Sequence, residues 1–265
     1  MKVTLTFLSM VFGLVVFGMM LTAESDAKIE SVGAWLLDEA EGNTVEDVSG
    51  KGINGEIQGG YKYVQGQFGE ALEFNGQDTL VLFENDDPNQ AFILHRDYDV
   101  SFIFWLQPLD DNHRSVFWTR GNAADSDRFN FYSGPGETLG FDYREVDGAV
   151  IHLISQEIAL PLKEWSHLAV IREGDNYKIF RNGKEVAHKT DSNPKLPEAT
   201  SWMMSGRPNF TFFGLMDEVA FFDFVLSEAD ISNVMNNGLA EFSVGVAVQP
   251  SDKLAAAWAR LKTSR

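Results

Sequence analysis

The chain has no cysteine among its 265 residues. Disulfide staples, thiol catalysis and lipid attachment through a lipobox cysteine are therefore excluded, and stability must come from a sizeable core. Basic residues are scarce, with 21 Lys and Arg against 39 Asp and Glu and a formal charge of −18. Phosphate contacts require clustered Lys and Arg, so this balance argues against nucleic acid as a partner. It argues equally against an anionic membrane surface. Neutral polymers, cations such as calcium, and other proteins are the partners left. The five histidines (His95, His113, His152, His167 and His188) show no zinc spacing such as His-Glu-x-x-His, and neither a Gly-x-Ser-x-Gly elbow nor a phosphate loop is present. No internal repeat or low-complexity tract divides the chain into two cores.

A long apolar run does occur at the N-terminus. Lys2, then Val3 to Leu21, then Ser25-Asp26-Ala27 has the layout of an export signal with a small-x-small cleavage site, and Ala23 is a second cleavage point. The same run lies near the lower length limit for a membrane span, so an uncleaved anchor stays open as the alternative. The expected organisation is a signal over residues 1–27, one domain over 28–240 and a tail over 241–265. Ser251-Asp252 could cap a tail helix with Leu254, Trp258 and Leu261 on one face.

With 23 Gly, 8 Pro and 12% aromatic residues, the interior reads as many short strands joined by turns. Strands are expected at Ser31 to Leu37, Glu56 to Gln58, Ala71 to Phe74 and Thr79 to Phe83, the last two as a hairpin around Asn75-Gly76. Val100 to Leu106 is apolar on both faces and reads as a central strand. Ser115 to Thr119, Arg128 to Tyr132, Thr138 to Tyr143 and Val150 to Ser155 read as a meander across one sheet. Trp165 to Arg172 and Tyr177 to Arg181 are expected to continue it. Asn182-Gly183 is the clearest two-residue turn, returning through Lys184 to His188, and Trp202 to Ser205 is a further short strand.

Gly214 to Ser227 closes the pattern. A period of two places Leu215, Asp217, Val219 and Phe221 on one side of a strand, so Asp217 shares a face with apolar residues. A carboxylate there must be paired, accept backbone N–H bonds or bind a metal. Ser227 with Asp230 three residues on then opens a short helix ending near Gly238.

This ending resembles that of the bacterial laminin-G-like, concanavalin-A-like jelly-roll domains, where a Gly-x-Ile-Asp-Glu-Val strand runs into Ala-Leu-Ser and a short helix. Further matches follow in the family's order. They are Ala34-Trp35-Leu36-Leu37-Asp38-Glu39, Asp47-Val48-Ser49-Gly50-Lys51-Gly52, Gln67-Phe68-Gly69-Glu70-Ala71-Leu72, Trp165-Ser166-His167-Leu168 and Phe180-Arg181-Asn182-Gly183-Lys184. The resemblance covers roughly four fifths of the chain. It implies an all-β fold, a jelly-roll sandwich of two antiparallel sheets with a short helix after the last strand.

The resemblance also implies an exported, non-catalytic binding or adhesion module whose partner is a glycan or an extracellular protein. Glucan-cleaving enzymes of this architecture carry Glu-x-Asp-x-(x)-Glu on one strand face. The nearest string here, Glu145-Val146-Asp147-Gly148-Ala149-Val150, lacks the second glutamate. A structural calcium is implied at Asp47, Asn54 and Asp217. The alternative is an Asx turn at Asp47 and backbone N–H bonds to Asp217. For a sugar, an aromatic ring and hydrogen-bonding side chains are wanted together. The candidates are Trp118, Arg120, Asp127, Arg128, Asn130, Tyr132 and Tyr143, around the loop Gly121 to Arg128. Trp118 and Tyr143 could equally be packing residues, and Asp127-Arg128 a solvated pair. Trp35 and Trp165 are assigned to packing, and Trp202 is left open. Ala220 and Phe224 stand where relatives carry polar residues, which points to contact with the C-terminal helix or with a partner protein.

Overall fold

The structure is a computed structural model that describes residues 32–84, 99–112, 114–121, 128–134, 138–144, 150–156, 160–191, 199–205 and 209–242. The N-terminal segment, Asp127 and the tail beyond residue 242 lie outside the described residues.

Sixteen strands and one helix are described. The strands are β1 (Gly33–Trp35), β2 (Thr44–Val45), β3 (Gly55–Gln58), β4 (Tyr61–Gln65), β5 (Glu70–Asn75), β6 (Leu80–Glu84), β7 (Val100–Pro108) and β8 (Arg114–Gly121). They continue as β9 (Arg128–Gly134), β10 (Thr138–Arg144), β11 (Val150–Gln156), β12 (Ser166–Glu173), β13 (Asn176–Arg181), β14 (Lys184–Thr190), β15 (Ala199–Met204) and β16 (Phe213–Phe222), followed by α1 (Glu228–Asn237). Sheet A runs β14-β13-β12-β7-β16-β5-β4, with β1 also on β16, and sheet B runs β11-β10-β9-β8-β15-β6-β3-β2. The named strand pairs are all antiparallel, as the jelly-roll expectation requires.

The sandwich core lies between the sheets. Phe102, Phe104 and Leu106 of β7 meet Phe117, Phe131, Phe141 and Trp202 from sheet B. Trp35 sits at its centre, buried, against Phe83, Trp202 and Phe221, and its Nε1 donates to the carbonyl of Ile53. Trp202 stacks on Phe83 at 3.9 Å, which settles it as a packing residue. Trp165, just before β12, is only half-buried.

Two expectations about topology are corrected. The Asn75-Gly76 turn does not close a hairpin, because β5 belongs to sheet A and β6 to sheet B. Asn75 Oδ1 accepts N–H bonds from Gln77, Asp78 and Thr79, so the side chain itself caps a turn that carries the chain across the sandwich. The meander also ends at β11, since β12 to β14 lie in the opposite sheet. Asn182-Gly183 does close its hairpin, with φ of 48° and 75°.

The outer face of sheet A carries a second apolar cluster of Ile103, Ala169, Ile171, Ala220 and Phe222, closed by Ile231 and Val234 of α1 and by Leu239 and Phe242 beyond it. Helix α1 starts as its sequence indicates: Ser227 Oγ accepts from the Asp230 N–H, and the Asp230 carboxylate accepts in return from the Ser227 N–H. Ala220 is fully buried in this cluster and Phe224 packs on its margin. The apolar residues flagged in the sequence are thus used within the domain.

Candidate ligand-binding site

The outer face of sheet B is where three of the expected sugar-binding residues, Trp118, Asn130 and Tyr132, meet. Phe117, Phe131 and Phe141 oppose one another and point into the core, so their neighbours Trp118, Asn130 and Asp142 stand on the other side. Register makes them one row: Met203 faces Trp118, Trp118 faces Asn130 and Asn130 faces Asp142. Tyr132 flanks the row, half-buried, and its ring lies over Gly140, where an added Cβ would come 2.2 Å from Cζ. The missing side chain at Gly140 gives that ring its seat.

Polar chemistry is concentrated along this row. Ser115 Oγ donates to Asn130 Oδ1 at 2.6 Å, which leaves the Asn130 amide to donate elsewhere. Trp118 is 8% exposed and its Nε1 has no hydrogen-bond partner among the described residues. A buried indole N–H without a partner loses the free energy of its hydration, so an acceptor at this position would be bound favourably. Donors at Trp118 and Asn130 beside the Asp142 carboxylate make a short donor-donor-acceptor strip. Sugar hydroxyls, which both donate and accept, match such a strip.

Trp118, Asn130 and Tyr132 are therefore brought together. Arg120 lies on β8 and Arg128 opens β9. Tyr143 lies one residue beyond Asp142 on β10, in backbone register with Phe129 of β9. Asp142 and Ser115 join the site without having been singled out from the sequence. Asp142 was within reach of strand alternation, because it lies one residue beyond the core Phe141; Ser115 was hidden by a bulge between Ser115 and Phe117.

The expected calcium ligands make backbone bonds instead, at two separate turns. Asp47 accepts from Ala34, Ser49 and Ile53, while Asn54 Oδ1 accepts from the Asp47 N–H. Asp217 Oδ2 accepts from Gln67 at 2.8 Å and Phe68 at 3.0 Å. Among the described residues no group of three or more His, Asp or Glu is placed to hold a metal ion. The melting midpoint in EDTA against added Ca²⁺ tests the ion: a rise with Ca²⁺ supports it, and an unchanged midpoint leaves these residues to the backbone bonds alone.

Asp217 is nevertheless an unusual acid. A bulge at Glu218, which has φ of 53°, shifts the β16 register, so Asp217 faces outward beside Trp105 while Val219 and Phe221 turn into the core. This corrects the shared face read from the sequence. Asp217 is fully buried, and burial pushes its carboxyl up to about 8 against the opposing pull of the Phe68 N–H. Burial likewise raises Glu218 to about 7, although its Oε2 accepts from the Leu239 N–H. His167, next in the row beyond Trp105, is held down at about 4 by burial, and neither ring nitrogen has a partner among the described residues.

Comparison with known proteins agrees with this architecture. No curated protein matches the sequence. Among solved structures, the binding domain of Paraclostridial Mosquitocidal Protein 1 superposes with a TM-score of 0.64 at 14% identity, over 79% of this chain and 52% of that one. The chain thus spans about half the length of that toxin domain. Domain 4 of AbnA, an extracellular arabinanase from Geobacillus stearothermophilus solved with arabinotriose, matches with a TM-score of 0.58 at 19% identity, over 78% of this chain and 98% of that one. The binding domain of Botulinum neurotoxin DC, solved with rat synaptotagmin II, gives 0.61 at 13% identity, over 78% and 51%. At these identities the likeness is one of fold. The family model that matches residues 75–232 covers most of the sandwich and the start of its helix, and it places the chain in the concanavalin A-like lectin/glucanases superfamily.

Proposed function

We propose that this protein is a non-catalytic carbohydrate-binding module that works outside the cytoplasm. The observation that carries the reading is the row Trp118–Asn130–Asp142 on the outer face of sheet B. It sets an indole N–H that has no partner among the described residues, an amide oriented by Ser115 and a carboxylate side by side. The carbohydrate-bound arabinanase domain of the same fold supports the class of ligand, and the export-like residues 1–27 support the compartment. No helix among the described residues is long and apolar enough to cross a membrane.

Titration of the purified protein against a panel of polysaccharides tests the reading. Trp118→Ala and Asn130→Ala are each expected to weaken binding at least about tenfold, equal to about 1.4 kcal/mol. The melting midpoint of each variant separates lost contact from lost fold. Unchanged affinity in both variants, or release of shortened sugars by the wild type, would remove the proposal.

A further inference from the structure

We infer that the row Met203–Trp118–Asn130–Asp142 on the outer face of sheet B selects glycans that carry acetamido groups, with the amide of an N-acetylated sugar as the part it holds. This rests on the carbohydrate-binding reading and gives its ligand a chemical class. The register sets the four positions side by side on β15, β8, β9 and β10. Paired residues on one face stand about 5 Å apart at Cβ, so the Trp118 indole N–H and the Asn130 amide can meet on one oxygen. The indole N–H has no partner among the described residues. The amide is turned by Ser115, whose hydroxyl is buried and donates to Asn130 Oδ1 at 2.6 Å, so the Asn130 N–H groups are the side offered to a ligand. Asp142 follows on the far side of Asn130. A carboxylate has acceptor sites for several donors, so Asp142 takes one more beside any bond it already makes.

Two donors followed by an acceptor complement a secondary amide, whose carbonyl oxygen accepts two hydrogen bonds and whose N–H donates one. Laid along the row, an acetamido group puts its oxygen between Trp118 and Asn130 and its N–H toward Asp142. Its methyl then turns toward the sheet, where the Trp118 ring and Met203 beside it are the apolar surfaces. An anionic group would satisfy the donors but would be repelled by Asp142. A pair of hydroxyls matches the strip too, and enclosure decides between the two. Met203 is 6% exposed, Trp118 8%, Asn130 3% and Asp142 6%. Adjacent hydroxyls sit on the sugar ring itself and would need that ring inside the row, whereas an acetamido group is small, planar and stands off the ring on one bond. Tyr132, half-buried over Gly140 in the neighbouring row, is the more open part of the site, where the ring that carries the acetamido group would lie.

The test titrates the full-length protein with matched pairs that differ only in the acetamido group: chitotetraose against cellotetraose, and the methyl glycosides of N-acetylglucosamine and N-acetylgalactosamine against those of glucose and galactose. Arabinan and laminarin are added as glycans without the group, and the de-N-acetylated chitotetraose as a charge control. At least one acetylated member is expected to bind at least about tenfold more tightly than its hydroxyl counterpart. Trp118→Phe keeps a ring and removes the N–H, and should bring that ratio to within about twofold of one, with a melting midpoint equal to or above the wild type because a buried donor without a partner is gone. Ser115→Ala removes the hydroxyl that orients Asn130 and should lower the same ratio at least about threefold, which keeps the comparison decisive if the Phe variant folds poorly. Glycans without acetamido groups bound as tightly as the acetylated ones would overturn this inference and leave the carbohydrate reading standing. Binding to none of the glycans would remove both. The de-N-acetylated tetramer bound as tightly as chitotetraose would reduce the preference to attraction of a cation by an acidic chain, which also overturns it. A ratio unmoved in both variants would place the selectivity away from this row and reject it.

Discussion

Trp35→Ala is expected to cost about 3–5 kcal/mol of folding stability, the range for deleting a large buried aromatic side chain. Domains have stabilities of only about 5–15 kcal/mol, so the variant would be partly or wholly unfolded at room temperature. The reason is its place in the sandwich. The indole contacts Phe83 and Phe221 at 4.8 and 6.3 Å between ring centres and Trp202 at 5.0 Å, so one side chain joins β1 and β16 of sheet A to β6 and β15 of sheet B. Its N–H also donates to Ile53 at 2.8 Å, fixing the loop that leads into β3. Trp35→Phe separates the two contributions. It keeps an aromatic ring but leaves the Ile53 carbonyl without that donor, and should cost about 1–3 kcal/mol. Urea denaturation checks both, with a lower midpoint and an unchanged slope as the expected signature. Equal losses for Ala and Phe would mean that the hydrogen bond, not the packing, carries the effect.

Trp35 also shows what could be read before the fold was seen. An apolar residue in a strand with a following Gly- and Asp-rich turn is legible as core, and so were the two-sided β7 and the Asn182-Gly183 turn. What sequence could not supply was the layer to which each strand belongs. Spacing marks strands, but Asn75 uses its side chain to cap a turn between sheets, and nothing in an Asn-Gly pair distinguishes that from a hairpin. Tyr61–Gln65 escaped notice as a strand because, as the edge of sheet A, it is half polar and sits in a Gly-rich stretch. In the candidate site, Trp118, Asn130 and Tyr132 were legible as neighbours. Asp217 was recognised as a buried acid, yet its companions were wrong because the bulge at Glu218 resets the parity of β16.

That same acid gives the second large effect, an inverted pH dependence. Asp217 rises from an ordinary 3.8 to about 8 in the fold, and Glu218 from 4.5 to about 7, in both cases chiefly through burial. Between the ordinary and the folded value, the folded chain holds a proton that the unfolded chain has released. Stability therefore falls as pH rises through that window, by at most about 1.4 kcal/mol per pH unit for each group, and levels off above the folded value. His167 opposes this at the acid side. Its drop from 6.5 to about 4 means that the unfolded chain takes up a proton first, so below pH 6.5 stability is lost as pH falls toward 4. Two acids outweigh one histidine between pH 4.5 and 6.5, so unfolding free energy should decline from about pH 4.5 to about pH 8. Asp217→Asn isolates the cause. An Asn oxygen can still accept from Gln67 and Phe68, so this variant should match the wild type near pH 5 and exceed it at pH 8, where the wild type must hold a buried charge. Asp217→Ala instead leaves both N–H groups without their acceptor and should be less stable than the wild type by about 2–5 kcal/mol near pH 5, a gap that narrows toward pH 8 as the wild type loses its own advantage. Denaturant unfolding of the three proteins from pH 4 to 8 decides the matter. An Asn variant that keeps the wild-type slope would show that the carboxyl at position 217 is ionised throughout, and that the loop Gln67–Phe68 is held by a carboxylate.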